Sequence, residues 1–157
     1  MPDRPIVLGY DGSPSAKRAI GEAAALLAPR PALVVTVWEP GLAYAASVPS
    51  SLDLPATPVD VTTAAEIDTA LDQRAHRLAA EGAQLARDAG FDAEPVVVAD
   101  ESNVGETLVE VARQREAQAI VVGSRGLSGL KARLAGSTSR AVLQHADRPA
   151  WERGERA

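Results

Sequence analysis

Four short apolar runs, none broken by polar alternation, are separated by stretches whose apolar residues recur every three or four positions. This alternation limits the possible folds more than any other property of the chain. The runs are Ile6-Val7-Leu8-Gly9-Tyr10, Ala32-Leu33-Val34-Val35-Thr36-Val37-Trp38, Pro95-Val96-Val97-Val98-Ala99 and Ala119-Ile120-Val121-Val122. Strands that are apolar on both sides are covered on both faces, as in parallel sheets. The intervening segments carry helix punctuation. Ser13 can cap a helix whose first position is Pro14, with Ala16, Ala19, Ile20, Ala23, Ala24 and Leu27 on one face and Pro29 and Pro31 as the stop. Thr63 and Glu66 have capping-box spacing and open a long helix with an apolar face of Ile67, Leu71, Ala75, Leu78, Gly82, Leu85 and Ala89, ended at Gly90. Asn103 and Glu106 repeat the spacing. A last short helix runs from Ser137 to about His145. Strands alternating with helices predict an α/β fold, an open parallel sheet with helices on both faces. In such sheets ligands bind outside the carboxyl ends of the strands, where the connection direction reverses. With the first and fourth runs as neighbouring strands, Asp11 and Gly123 would face one crevice.

Composition narrows the function. The chain has 157 residues, 46% of them apolar, enough for one domain with a proper core. Residues 1–148 form that domain, and residues 149–157 read as a charged C-terminal tail. The aromatic content of 3% leaves little to stack on single-stranded bases, and a net charge of −5 argues against a nucleic-acid partner. There is no cysteine, which excludes disulfides, thiolate metal sites and cysteine nucleophiles. No apolar run approaches the roughly 20 residues of a membrane-spanning helix, and the first residues lack the apolar centre of a signal peptide, so a cytoplasmic protein without a membrane partner is expected. His76 has no ligand-spaced partner and reads as a surface residue; His145, near a helix end, reads likewise. Residues 40–63, rich in proline and small residues, form a long irregular connection.

The stretch after the fourth run carries the chemistry. Residues 123–137 follow a strand, contain Gly123, Gly126, Gly129 and Gly136, and lead into a helix at Ser137. Residues 117–146 contain no carboxylate but include Arg125, Lys131, Arg133 and Arg140. A glycine-punctuated loop before a helix N-terminus gathers backbone N–H groups and a positive dipole end, a site for phosphate. Asp11, at the carboxyl end of a strand, could accept bonds from a base amine or a ribose hydroxyl, although on chemistry alone such a residue more often forms a turn.

Gly123-x-x-Gly126, nine residues, then Gly136-Ser137 resembles the nucleotide-binding motif of the universal stress protein family. The resemblance extends to the opening Ile6-Val7-Leu8-Gly9-Tyr10-Asp11-Gly12-Ser13 and to Gly136-Ser137-Thr138-Ser139-Arg140-Ala141-Val142, and so covers nearly the whole chain. It implies a sheet of strand order 3-2-1-4-5 and membership of the branch that binds ATP. By position, Asp11 would contact the adenine and the Val37 backbone would hold the base, with Gly9 in the same strand end. Gly123, Arg125 and Gly126 would line the ribose and phosphates, and Gly136, Ser137 and Thr138 would hold phosphate oxygens. A divalent cation, Mg or Mn, would accompany the triphosphate; no protein metal cluster is visible. One departure concerns the end of the chain. Where the family has an aliphatic last strand, this chain reads Pro149-Ala150-Trp151-Glu152-Arg153-Gly154-Glu155-Arg156-Ala157, so the fifth strand is expected to be missing or residual and the homodimer usual along that edge is put in doubt.

The expected function is that of an ATP-binding regulatory protein of the universal stress response. There is no Gly-Lys-Ser/Thr motif and no nucleophile–base pair, so no catalytic residue is assigned. The alternative is a slow ATPase or nucleotidyl-transfer enzyme on the same fold. A flavin carrier ranks lower, because few aromatics are present to sandwich a flavin ring.

Overall fold

The computed structural model of the protein describes residues 4–41, 61–100, 103–123, 137–147 and 149–153. Five parallel strands, β1 (Ile6–Gly9), β2 (Pro31–Trp38), β3 (Asp92–Ala99), β4 (Ala119–Gly123) and β5 (Ala150–Arg153), lie in the order β3-β2-β1-β4-β5. Four helices accompany them among the described residues: α1 (Pro14–Leu27), α2 (Val61–Asp88), α3 (Val104–Gln114) and α4 (Ser137–His145). The fold class and strand order are those expected from the sequence.

Each sheet face has its own apolar layer, which is why the strands show no polar alternation. Ile6, Leu8, Tyr10, Val34 and Val121 point to one side, where Ala16, Ala19, Ile20 and Ala23 of α1 and Ala83 and Ala86 of α2 cover them. Val7, Leu33, Val35, Ile120 and Val122 point to the other, against Leu108, Val109 and Ala112 of α3 and Val142 of α4.

Local sequence sets the helix ends. The Ser13 hydroxyl accepts from the Ala16 N–H at 3.1 Å, and Pro14 takes the first turn, where its missing N–H costs nothing. Helix α2 begins at Val61, two residues before the expected Thr63. Its deeply buried face is Ala75, Ala79, Ala83 and Ala86, while Leu71, Leu78 and Leu85 are only half-buried and Ile67 is exposed. Small residues win the inner positions because they let the helix axis come close to the sheet. Gly90, at φ +106°, ends α2: its N–H reaches the Arg87 carbonyl and the Phe91 N–H reaches that of Ala86. Helix α3 ends in the same pattern, with Glu116 at φ 49° in place of glycine. Asn103 caps α3 by accepting from the Gly105 N–H at 2.9 Å.

One strand differs from expectation and another is reduced as expected. Strand β3 starts at Asp92, not Pro95, and pairs with β2 along its full length. Asp92 and Glu94 are exposed and Ala93 is buried, an alternation suited to an edge strand. The fifth strand, expected to be missing or residual, is a short one. Ala150–Arg153 pairs in parallel with β4 from Ile120↔Ala150 to Gly123↔Arg153, and the Ile120 N–H donates to the Pro149 carbonyl at 3.1 Å. The first residues of the segment read as a tail therefore join the sheet.

Candidate functional site

The strand order reverses between β1 and β4: from β1 the chain steps to β2 and β3 on one side, and β4 and β5 lie on the other. That switch point, at the carboxyl ends, is where Asp11 and Gly123 meet the first turn of α1. Asp11 Oδ1 accepts the Ser13 N–H at 2.9 Å. A Cβ on Gly123 would stand 2.8 Å from the Ser15 carbonyl carbon, the Ser15 hydroxyl and the Ala16 nitrogen. Only a residue without a side chain lets β4 close onto that turn.

The other oxygen of Asp11 is the anomaly. Oδ2 is buried and makes no hydrogen bond with any described residue. Buried polar groups are nearly always partnered, and one that is not costs about 1–3 kcal/mol. Burial pushes the Asp11 carboxyl above its usual range, partly offset by the bonds from Ser13.

The strand end that carries Asp11 is held firmly. The Tyr10 N–H donates to the Val35 carbonyl and the Tyr10 carbonyl accepts from the buried Thr36 hydroxyl, both at 2.9 Å. The Tyr10 ring is fully buried beneath α2, and its hydroxyl donates to Glu81 Oε1 at 2.7 Å. Lys17 of α1 sits 2.8 Å from the same oxygen. The ring fits because Gly82 faces it: a Cβ there would come within 2.6 Å of Tyr10 Cδ1. Burial and the bond to Glu81 raise the Tyr10 phenol well above its ordinary range, while Lys17 and then Tyr10 lower the Glu81 carboxyl. Three elements thus converge on the residue before Asp11.

The other residues named from the sequence fall as follows. Val37 is half-buried near the end of β2, opposite Val98 of β3. Gly9 is buried in the sheet floor, where a Cβ would press on Leu108 at 3.1 Å and Val122 at 3.2 Å, so its smallness serves packing beneath the site. Ser137 and Thr138 open α4. Arg125, Gly126 and Gly136 lie outside the described residues. Sequence reasoning passed over Gly105, where a Cβ would stand 2.7 Å from the Ala141 Cβ and 2.8 Å from the Thr138 carbonyl oxygen; it locks the start of α4 against the start of α3. It also passed over Thr36, Tyr10 and the facing role of Gly82. A glycine two residues past a capping Asn was a visible signal for the first, but a threonine in an apolar run carries none.

No group of His, Cys, Asp or Glu among the described residues could hold a metal ion. His76 is exposed, with Nδ1 3.0 Å from the Asp72 carbonyl oxygen, as expected of a surface residue. A groove of about 650 Å³ lies along α3, lined in part by Val98, Asp100, Thr107, Glu110, Arg113 and His145. It includes neither Asp11 nor Gly123.

Residues 3–151 match the model of the Universal stress protein family. The chain belongs to this family. Solved universal stress proteins share the fold. That of UspA from Lactobacillus plantarum has a TM-score of 0.66 at 20% identity, covering 97% of this chain and 98% of that one. A universal stress protein from Archaeoglobus fulgidus in complex with dAMP gives 0.61 at 22% identity, covering 97% and 98%. A universal stress protein in complex with cAMP gives 0.59 at 25% identity, covering 98% of each. No curated protein sequence matches the chain. No helix among the described residues is long and apolar enough to cross a membrane.

Proposed function

We propose that this universal stress protein is an ATP-binding regulatory protein, in which nucleotide occupancy sets conformation or partner choice during the stress response. The unpartnered, buried Asp11 Oδ2 at the switch point carries the reading. A buried carboxylate oxygen with no donor among the described residues suits a ligand N–H, and the adenine amine is such a donor. The two relatives solved with cAMP and dAMP support a nucleotide.

In this reading Asp11 takes the base amine and the Val37 main chain holds the base edge, with Gly9 packed in the sheet floor beneath them. Gly123 brings the β4 end onto the α1 turn and, with Arg125 and Gly126, lines the ribose and phosphates. Gly136, Ser137 and Thr138 present N–H groups and hydroxyls to phosphate at the start of α4. A Mg or Mn ion bound to the triphosphate itself would offset its charge. The proposal places the protein in the cytoplasm. The β5 edge, though short, offers a second copy the backbone to pair with, and sedimentation would report the dimer.

The direct test is to release and identify the small molecule that copurifies with the protein, by mass and absorbance. An adenine nucleotide supports the reading. Phosphate release at ordinary enzyme rates, lost in Asp11→Ala, would replace it with the ATPase alternative.

A further inference from the structure

We infer that nucleotide binding to this protein is coupled to a proton at Asp11: the site binds with the carboxyl ionised, releases a proton when it fills from the neutral state, and loses affinity as the pH falls. The inference rests on the reading that Asp11 receives a donor of the bound base.

The geometry supports the coupling through the unequal surroundings of the two oxygens. Oδ1 is satisfied by the Ser13 N–H at 2.9 Å, whereas Oδ2 is buried without a donor among the described residues. A carboxylate in this position is half solvated by protein, and in the empty site its charge is best relieved by taking a proton on Oδ2. A protonated Oδ2 is a weaker acceptor, and its proton competes with an incoming N–H for the same side of the carboxyl, so an N–H donor binds the ionised form better. Filling the site with an N–H donor therefore removes the reason for the proton and replaces it. The neighbours sharpen the effect. Among the described residues, the Tyr10 phenol faces Asp11 and is tied to Glu81 of α2, whose carboxylate is itself 2.8 Å from Lys17 of α1. The adjoining ends of β2 and β4 bring Thr36, Val37 and Gly123, none of which ionises. The upward displacement of the Asp11 carboxyl by burial has the sign this coupling needs.

The sign follows from linkage. A ligand that prefers the ionised carboxylate lowers its pKa on binding, so protons are released and affinity drops with falling pH, at a limiting rate of about tenfold per pH unit for one proton. The phosphates of ATP titrate too, and a variant separates their contribution. ATP with magnesium is titrated calorimetrically into the full chain and into Asp11→Asn at steps between about pH 8 and about pH 4.5. Phosphate protonation affects both proteins alike, whereas only the wild type carries the Asp11 proton. The expected result is a wild-type affinity that falls more steeply than that of Asp11→Asn, together with proton release by the wild type when the heat is compared in two buffers of different ionisation enthalpy. Parallel pH profiles and equal proton release in the two proteins would overturn the coupling while leaving nucleotide binding in place. No binding by the wild type at any pH would overturn both the coupling and the site on which it rests.

Discussion

Gly123, the last residue of β4, abuts Ser15 of α1 so closely that a single added carbon would stand 2.8 Å from the Ser15 carbonyl carbon. Two loops that are far apart in the chain thereby share one wall: the turn after β1, with Asp11 and Ser13, and the end of the strand that leads into residues 123–137. The approach is between backbones, which cannot rotate away as a side-chain tip could. We expect Gly123→Ala to cost about 1–3 kcal/mol, as overpacked sites do, measurable by denaturant unfolding, with a larger loss for Gly123→Val. An unchanged midpoint in both variants would show that the contact is not tight in solution.

The Tyr10 ring and Gly82 form a second close contact, at 2.6 Å for an added Cβ. A Cβ at position 82 would also stand 2.8 Å from Val34 Cγ1, so Gly82→Ala crowds two buried side chains at once, and a loss of about 1–3 kcal/mol is expected. Tyr10→Phe keeps the packing and removes only the hydroxyl bond to Glu81, so its cost should be smaller, about 1 kcal/mol. The order of the two losses by thermal or denaturant unfolding is the check.

Asp11 should be a site where function opposes stability. Its carboxyl is raised in the folded protein, so its contribution to stability is greatest below the unfolded-chain value near 3.8 and is lost as the pH rises through the folded value. Asp11→Asn should therefore melt higher than the wild type at neutral pH, by up to about 1 kcal/mol, and the gain should shrink as the pH is lowered towards 4. The same variant should bind nucleotide less well at neutral pH. A variant less stable than wild type at neutral pH would mean that Oδ2 has a partner after all.

Glu116 ends α3 at φ 49°, a region that favours glycine, and its exposed side chain lies 4.0 Å from Arg4. Glu116→Gly should stabilise the protein by about 0.5–1 kcal/mol in denaturant unfolding.

Much of the architecture was legible because apolar runs and capping residues report directly on it. Ser13-Pro14, Asn103 and Gly90 each sit at the helix end they announce. The failures have physical causes. Asp92 and Glu94 alternate with Ala93 in an edge strand, where one side meets water, so a search for unbroken apolar runs begins β3 three residues late. Trp151-Glu152-Arg153 looks unlike a strand because its pairing with β4 uses backbone groups, which composition does not record. The expected inner face of α2 includes Ala75 and Gly82, which are buried, but its leucines and Ile67 lie farther out, and Ala79, Ala83 and Ala86 complete the buried face instead. At the site, Asp11 and Gly123 stood out because a turn residue and a glycine follow strands. Thr36 and Tyr10 did not, because their hydrogen bonds depend on which strand lies beside which.

The central claim is that the switch point at Asp11 and Gly123 binds an adenine nucleotide. Titration calorimetry of ATP with magnesium into the purified chain at neutral pH, after removal of any copurified molecule, tests it most directly. Saturable binding of about one ATP per chain, weakened about tenfold or more in Asp11→Ala as the buried acceptor is lost, is the expected result. No heat of binding, or binding indifferent to Asp11→Ala, would contradict it.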